Sequence, residues 1–88
     1  MTTDAVMIRL NNILRRVFSN PILTITRSTT AGDVPGWDSL SNLFLSMEIE
    51  AEFGCDITGD DIGRLGDIGE LVDLLLAKLR HTDDQGQS

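Results

Sequence analysis

Gly36-Trp37-Asp38-Ser39-Leu40-Ser41-Asn42-Leu43-Phe44-Leu45-Ser46-Met47-Glu48-Ile49-Glu50-Ala51-Glu52-Phe53-Gly54 is the stretch that decides the fold. It predicts one helix, from about Ser39 to Phe53, with both ends written into the sequence. Gly36 closes the preceding loop, and Asp38 or Ser39 supplies a side-chain oxygen to the unpaired amides of the first turn. Leu45, Ile49 and Phe53 recur every fourth residue and form a core stripe, flanked by Leu43 and Ser46. Phe44, Met47 and Ala51 fall on another face, with Leu40 at its upper edge, so the helix is apolar on more than one side. Gly54 stops it by taking the left-handed conformation that closes a helix. The start of a helix carries free N–H groups and a partial positive charge, which favour an anion. Ser39 is therefore well placed to carry a phosphate.

Upstream, Val6, Leu10, Ile13, Leu14 and Val17 recur at helical spacing, which predicts a first helix from about Asp4 to Ser19. Thr3 or Asp4 caps its start, and Asn20-Pro21 ends it, because the residue before proline is pushed away from helical geometry. Residues 21–36 read as a long connection rich in threonine and serine and closed by Gly32, Pro35 and Gly36. Ile22, Leu23 and Ile25 find no second strand to pair with, and they are expected to pin this loop against the helices. Loops of this length in small domains are often functional.

Downstream, Thr58 and Asp61 stand at capping-box spacing and open a short third helix. Asp67 repeats that logic for a fourth helix, where Leu71, Leu74, Leu75 and Leu79 form a core stripe with Val72 beside it. Lys78, Arg80 and His81 suit its negative end. Residues 82–88 are polar and are expected to be a disordered tail. The fold class that follows is all-α: a four-helix bundle with a long loop between helices one and two and a short helix three.

The 88 residues make one small domain with little room for catalytic machinery. A net charge of −7 disfavours nucleic acid and anionic membranes as partners. The charge is unevenly placed: residues 1–32 hold four arginines against one aspartate, and residues 33–88 hold thirteen acids against three cations. That acidic part suits a basic partner surface. Cys55 is the only cysteine, so no intramolecular disulfide forms, and it reads as an inert small residue after the helix stop. Nothing resembles a signal peptide or a membrane span, which makes the cytoplasm the default location, and the charge suits a monomer.

The order long helix, long loop, Asp38-Ser39-Leu40, helix, short helix, helix resembles the acyl carrier protein family over about Val6 to Leu79. Asp33 resembles the acid this family often keeps upstream of its site. Glu48-Ile49-Glu50-Ala51-Glu52-Phe53 resembles its acidic stretch ending in phenylalanine, and Ile57 before Thr58 resembles the lead-in to its short helix. The resemblance implies a carrier domain over residues 1–81 and a non-enzymatic role. In it, Ser39 Oγ would attack the pyrophosphate of coenzyme A, assisted by a phosphopantetheinyl transferase and magnesium. The attached 4′-phosphopantetheine would hold acyl or aminoacyl groups as thioesters. Asp38 would orient the site and assist magnesium placement, and Leu40 would pack against the transferase. An acyl- or aminoacyl-loading ligase and downstream acyl-transfer or condensing enzymes, as in lipid or polyketide biosynthesis, would complete the partners. A long acyl chain would slip between helices two and four, and short cargo would stay outside.

Three positions depart from the fatty-acid carriers. Trp37 replaces a small or aliphatic residue, Phe44 sits where an acid is common, and Glu48 takes a place that is often small and apolar. These departures imply a specialised discrete carrier serving a dedicated pathway. Trp37-Asp38-Ser39-Leu40 looks like the site of stand-alone carriers of small acyl or amino acid cargo. The expected partner face comprises Trp37, Phe44, Met47, Glu48 and Ala51, and it leans on apolar contact more than on charge.

Other functions fit less well. A Gly-Asp-Ser-Leu hydrolase motif is broken by Trp37, and the only histidine, His81, lies at the end of the last helix. Asp56, Thr58, Asp60 and Asp67 fall at calcium-loop positions, but Asp61 stands where glycine is needed and no bidentate glutamate closes the loop, so no dedicated metal site is expected. The alternative with most weight is a non-carrier helical interaction module docking through Phe44 and Met47, with Ser39 serving only as a helix cap.

Overall fold

The computed structural model describes the backbone of residues 1–86 and the side chains of residues 1–80. Four α-helices follow one another: α1 (Thr3–Val17), α2 (Ser39–Phe53), α3 (Gly59–Gly63) and α4 (Ile68–Gly86), with a 3₁₀ turn at Ala31–Asp33 and no strand among the described residues. The backbone of α4 runs on through 82–86, where the sequence suggests a tail, so Lys78 and Arg80 lie before its last turn; residues 87–88 and the side chains from His81 onward lie outside the described residues.

α1 starts and stops earlier than its sequence suggests. Its cap is Thr2, neither Thr3 nor Asp4, and Thr2 Oγ1 accepts from the Ala5 N–H at 3.1 Å. Its end is set two residues before Ser19. Ser19 adopts a left-handed φ of 51°, its N–H donates to Arg16 O at 3.2 Å, and the Asn20 N–H donates to Arg15 O at 2.9 Å. That pair of bonds is a Schellman stop, built here on serine where glycine is usual.

The long connection is held by side chains. Asn11 grips it with both ends of its amide, donating to Leu23 O at 3.1 Å and accepting from the Ile25 N–H at 2.7 Å. Arg15 Nε donates to the same Leu23 carbonyl at 2.7 Å. Ile25 is buried and Leu23 packs partly on the core, as anchors should. Ile22 is not an anchor: it is 84% exposed, because the turn after Pro21 points it outward while Asn11 takes hold of the residues that follow.

Further on, the loop caps α4. The Ile68 and Gly69 N–H groups donate to Thr29 O at 2.8 Å and Arg27 O at 2.7 Å, and Arg27 clasps Asp73 at 3.0 and 3.1 Å. Thr30 and Asp33 form a reciprocal cap on the 3₁₀ turn. Pro35-Gly36 then makes a tight turn, with Gly36 at φ 87° and the Trp37 N–H donating to Val34 O at 3.3 Å. This turn delivers the chain to the start of α2.

The core joins all four helices. Val6, Leu10, Ile13 and Leu14 of α1 meet Leu45, Ile49 and Phe53 of α2, Ile62 of α3, and Ile68, Leu71, Val72 and Leu75 of α4. The α4 stripe is rotated from its expected centre: Leu71, Val72 and Leu75 are buried, whereas Leu74 and Leu79 are only partly so. Gly54 closes α2 at φ 67°. Thr58 and Asp61 cap α3 in both directions, at 3.0 and 3.1 Å.

Candidate functional site

The site is built from the bottom of the loop upward. Asp38, in extended backbone, is the N-cap of α2, and its Oδ1 accepts the Ser41 N–H at 2.9 Å. Ser41 is buried, and its Oγ lies 3.0 Å from Gly36 O and 3.1 Å from Asp38 Oδ1. One hydroxyl proton thus serves two acceptors and ties the turn to the helix. These bonds hold the Asp38 carboxyl below its ordinary value, chiefly through the Ser41 backbone N–H and then the Ser41 hydroxyl.

Ser39 stands between these two residues and shares none of their work. It is the first residue of α2, it is exposed, and its hydroxyl makes no hydrogen bond with the described residues. Of the two cap candidates in the sequence, Asp38 caps and Ser39 does not.

Trp37 is half-buried. Its ring lies 5.4 Å from that of Phe18 in a tilted stack, and its Nε1–H donates to Asn42 Oδ1. Indole N–H is donor only, so this bond fixes the Asn42 amide with its NH₂ directed away. Trp37, Asp38, Ser39 and Asn42 line a cleft of about 230 Å³, closed by Ile62 and Leu65 and by Ile68 and Leu71. The cleft is walled by α3 and its exit loop as well as by the start of α4.

The remaining expected residues divide between two places. Leu40, Phe44 and Met47 are 57%, 48% and 58% exposed along α2, with Ala51 exposed further down. Phe44, Met47 and Glu48 line a shallow hollow together with Val17 of α1. Trp37 lines the cleft by Ser39 and not this hollow. Glu48 faces Arg16 at 3.7 Å, and Glu52 meets Arg9 at 3.2 Å. Two of the three acids of α2 are thus matched by arginines of α1, while Glu50 Oε1 accepts the Ile57 N–H at 3.2 Å, and no acid lies between Ser39 and Met47.

Two acids of the calcium-spaced stretch act as helix caps. Asp61 caps α3, Asp67 Oδ1 accepts the Glu70 N–H at 2.9 Å, and no metal-holding cluster of three occurs among the described residues. Cys55 is buried, and burial pushes its thiol above the ordinary value. Sequence reasoning passed over Ser41 and Asn42. The signal for Ser41 was its place three residues after Asp38, where a cap finds its amide.

No protein-family model and no curated protein sequence matches this chain. A solved structure does: the solution NMR structure of the holo acyl carrier protein from Geobacter metallireducens. It is 30% identical, covers 94% of this chain and 91% of its own, and superposes with a TM-score of 0.74. The fold and this likeness define a carrier protein and not an enzyme. The chain belongs to the acyl carrier protein family. No helix among the described residues is long and apolar enough to cross a membrane.

Proposed function

We propose that the chain carries acyl or aminoacyl groups as thioesters on 4′-phosphopantetheine attached to Ser39, for a dedicated biosynthetic pathway. One observation carries this reading: the Ser39 hydroxyl is exposed and unbonded at the first turn of α2, while Asp38 does the capping. A serine needed as a cap would lose that role on modification, and this one has none to lose. The cleft beside it has room and mixed polar and apolar walls, which fits the root of an amide-bearing arm.

In the loading step, Ser39 Oγ forms a bond to the phosphorus next to pantetheine as the bond to adenosine 3′,5′-bisphosphate breaks. The serine proton leaves with the help of a phosphopantetheinyl transferase and magnesium. Asp38 holds the helix start in place for this step. The prosthetic group supplies a terminal thiol for thioester exchange. Tethering gives the cargo a high effective concentration at each enzyme that docks. Loading ligases and downstream acyl-transfer or condensing enzymes would dock on Leu40, Phe44, Met47, Glu48 and Ala51, with Trp37 shaping the cleft by the arm. The absence of acids between Ser39 and Met47 supports apolar recognition.

The test is the intact mass after incubation with a broad-specificity phosphopantetheinyl transferase, magnesium and coenzyme A, beside Ser39→Ala. Gain of one phosphopantetheine on the wild type alone is expected. No gain on a folded, unmodified sample would sink the reading in favour of a non-carrier docking module.

A further inference from the structure

α3 approaches α2 through glycines. A Cβ added to Gly59 would lie 3.3 Å from Leu43 N, and one added to Gly63 would lie 3.3 Å from Asn42 Nδ2. Leu43 and Asn42 are one turn from Ser39. Arg64 follows Gly63 directly, and its own N–H is tied to Asp60 O at 3.2 Å and Asp61 O at 3.3 Å, so its backbone is fixed. It lines a second cleft that also contains Ser39, Asn42 and Leu43.

Among the described residues, Arg64 is the only cation lining either cleft that Ser39 joins. Arg9, Arg16 and Arg27 are engaged with Glu52, Glu48 and Asp73, and Arg15 with Leu23 O. The Arg64 guanidinium is exposed and makes no hydrogen bond or ion pair with the described residues; its only electrostatic partner there is Asp61, which it attracts at longer range. Asp60 lines the same cleft, Asp61 is the acid that Arg64 attracts, and Asp38 and Asp67 line the neighbouring cleft with Ser39; all of them repel an anion at Ser39.

We propose that Arg64 is the positioning residue for the phosphodiester on Ser39, pairing with its non-bridging oxygens and holding the root of the arm over the cleft between α2 and α3. This rests on Ser39 being the attachment site. The planar guanidinium fork suits two phosphate oxygens at once, whereas an ammonium group pairs as a point charge without that fixed geometry. The pairing offsets the surrounding acids and biases the direction in which the arm leaves the surface.

The test compares the full chain, with ¹⁵N-labelled arginine, before and after loading by the transferase. Intact mass reports loading on the wild type, Arg64→Gln and Arg64→Lys, with Ser39→Ala as control. The Arg64 Nε–Hε resonance, identified by its loss in Arg64→Gln, should move on loading, while those of Arg9 and Arg27 stay. The shift should shrink in 1 M salt, where the screening length falls to about 3 Å. The ³¹P resonance of the phosphodiester should differ between the wild type and Arg64→Gln, with Arg64→Lys between them. Loading with an unmoved Arg64 resonance and identical ³¹P signals would overturn the pairing alone. Absence of any mass gain would overturn the attachment site and the pairing with it.

Discussion

Asp38 Oδ1 accepts the Ser41 backbone N–H at 2.9 Å, and this bond relieves Ser39 of any capping duty. Two serines two residues apart therefore have opposite characters. Ser41 is buried and bonded, and Ser39 is exposed and free.

The first prediction follows from that division. Ser39→Ala should leave stability within about 0.5 kcal/mol of the wild type, as surface changes away from special contacts do. Asp38→Ala should lower the thermal midpoint and speed amide exchange at Ser41 and Asn42. Circular-dichroism melts and hydrogen exchange would check both. A large loss of stability in Ser39→Ala would mean that the serine is part of the scaffold.

Acid should loosen the caps of α2 and α3 together. Asp38 is held below the ordinary 3.8 by the Ser41 N–H first, and Asp61 below 3.8 by the Thr58 N–H first. A depressed folded-state pKa contributes stability that is present above the unfolded value and lost as pH falls through the folded one. The urea midpoint should therefore hold through neutral and mildly acidic pH and fall below about pH 3.8. Asp38 is exposed and Asp61 is partly so, so the change should be modest. Asp38→Asn with Asp61→Asn should flatten this part of the profile.

α2 was legible from end to end because its signals are local. Asp38 before it, Gly54 after it and the Leu45, Ile49, Phe53 stripe all act within a few residues of where they are read. The Thr58–Asp61 box was legible for the same reason. What escaped the sequence depends on distant partners. The outward turn of Ile22 follows from Asn11 gripping Leu23 and Ile25 from a helix fourteen residues before Ile25. The shift of the α4 stripe to Val72 reflects where α1 lies, and the burial of Ser41 reflects the Pro35-Gly36 turn folding back on it. At the start of α2, Asp38 and Ser39 were legible as the two cap candidates. Which of them capped the helix depended on the extended backbone of Asp38.

Gly69 should resist substitution although it lies inside a helix, where alanine is normally better. It is buried, and a Cβ there would meet Arg27 O at 3.0 Å and Arg27 Cβ at 3.3 Å. Its N–H is bonded to that same carbonyl at 2.7 Å, so the loop has no room to retreat without losing the bond. Gly69→Ala should destabilise by about 1–3 kcal/mol, the usual cost of forcing extra volume into a packed contact. Denaturant melts would measure it, and a neutral or stabilising result would show that the loop and α4 are only loosely joined.

Phe44 and Leu45 are neighbours with opposed fates, and exchanging each for alanine should separate folding from docking. Leu45 is fully buried between α1 and α2, so Leu45→Ala should cost about 2–5 kcal/mol, a large part of the stability of a domain this small. Phe44 is 48% exposed and lines the hollow with Val17 and Met47, so Phe44→Ala should leave the melt almost unchanged. Its effect should fall on association. A central aromatic contact contributes on the order of 1–2 kcal/mol to docking, which corresponds to roughly a 5–30-fold loss in kcat/KM for loading by the transferase. Met47→Ala should act in the same direction, and a change of salt should alter either rate little, because Arg16 already faces the acid that flanks this face, Glu48. Unchanged loading kinetics in both variants, with a normal melt, would remove the α2 face from recognition by the transferase.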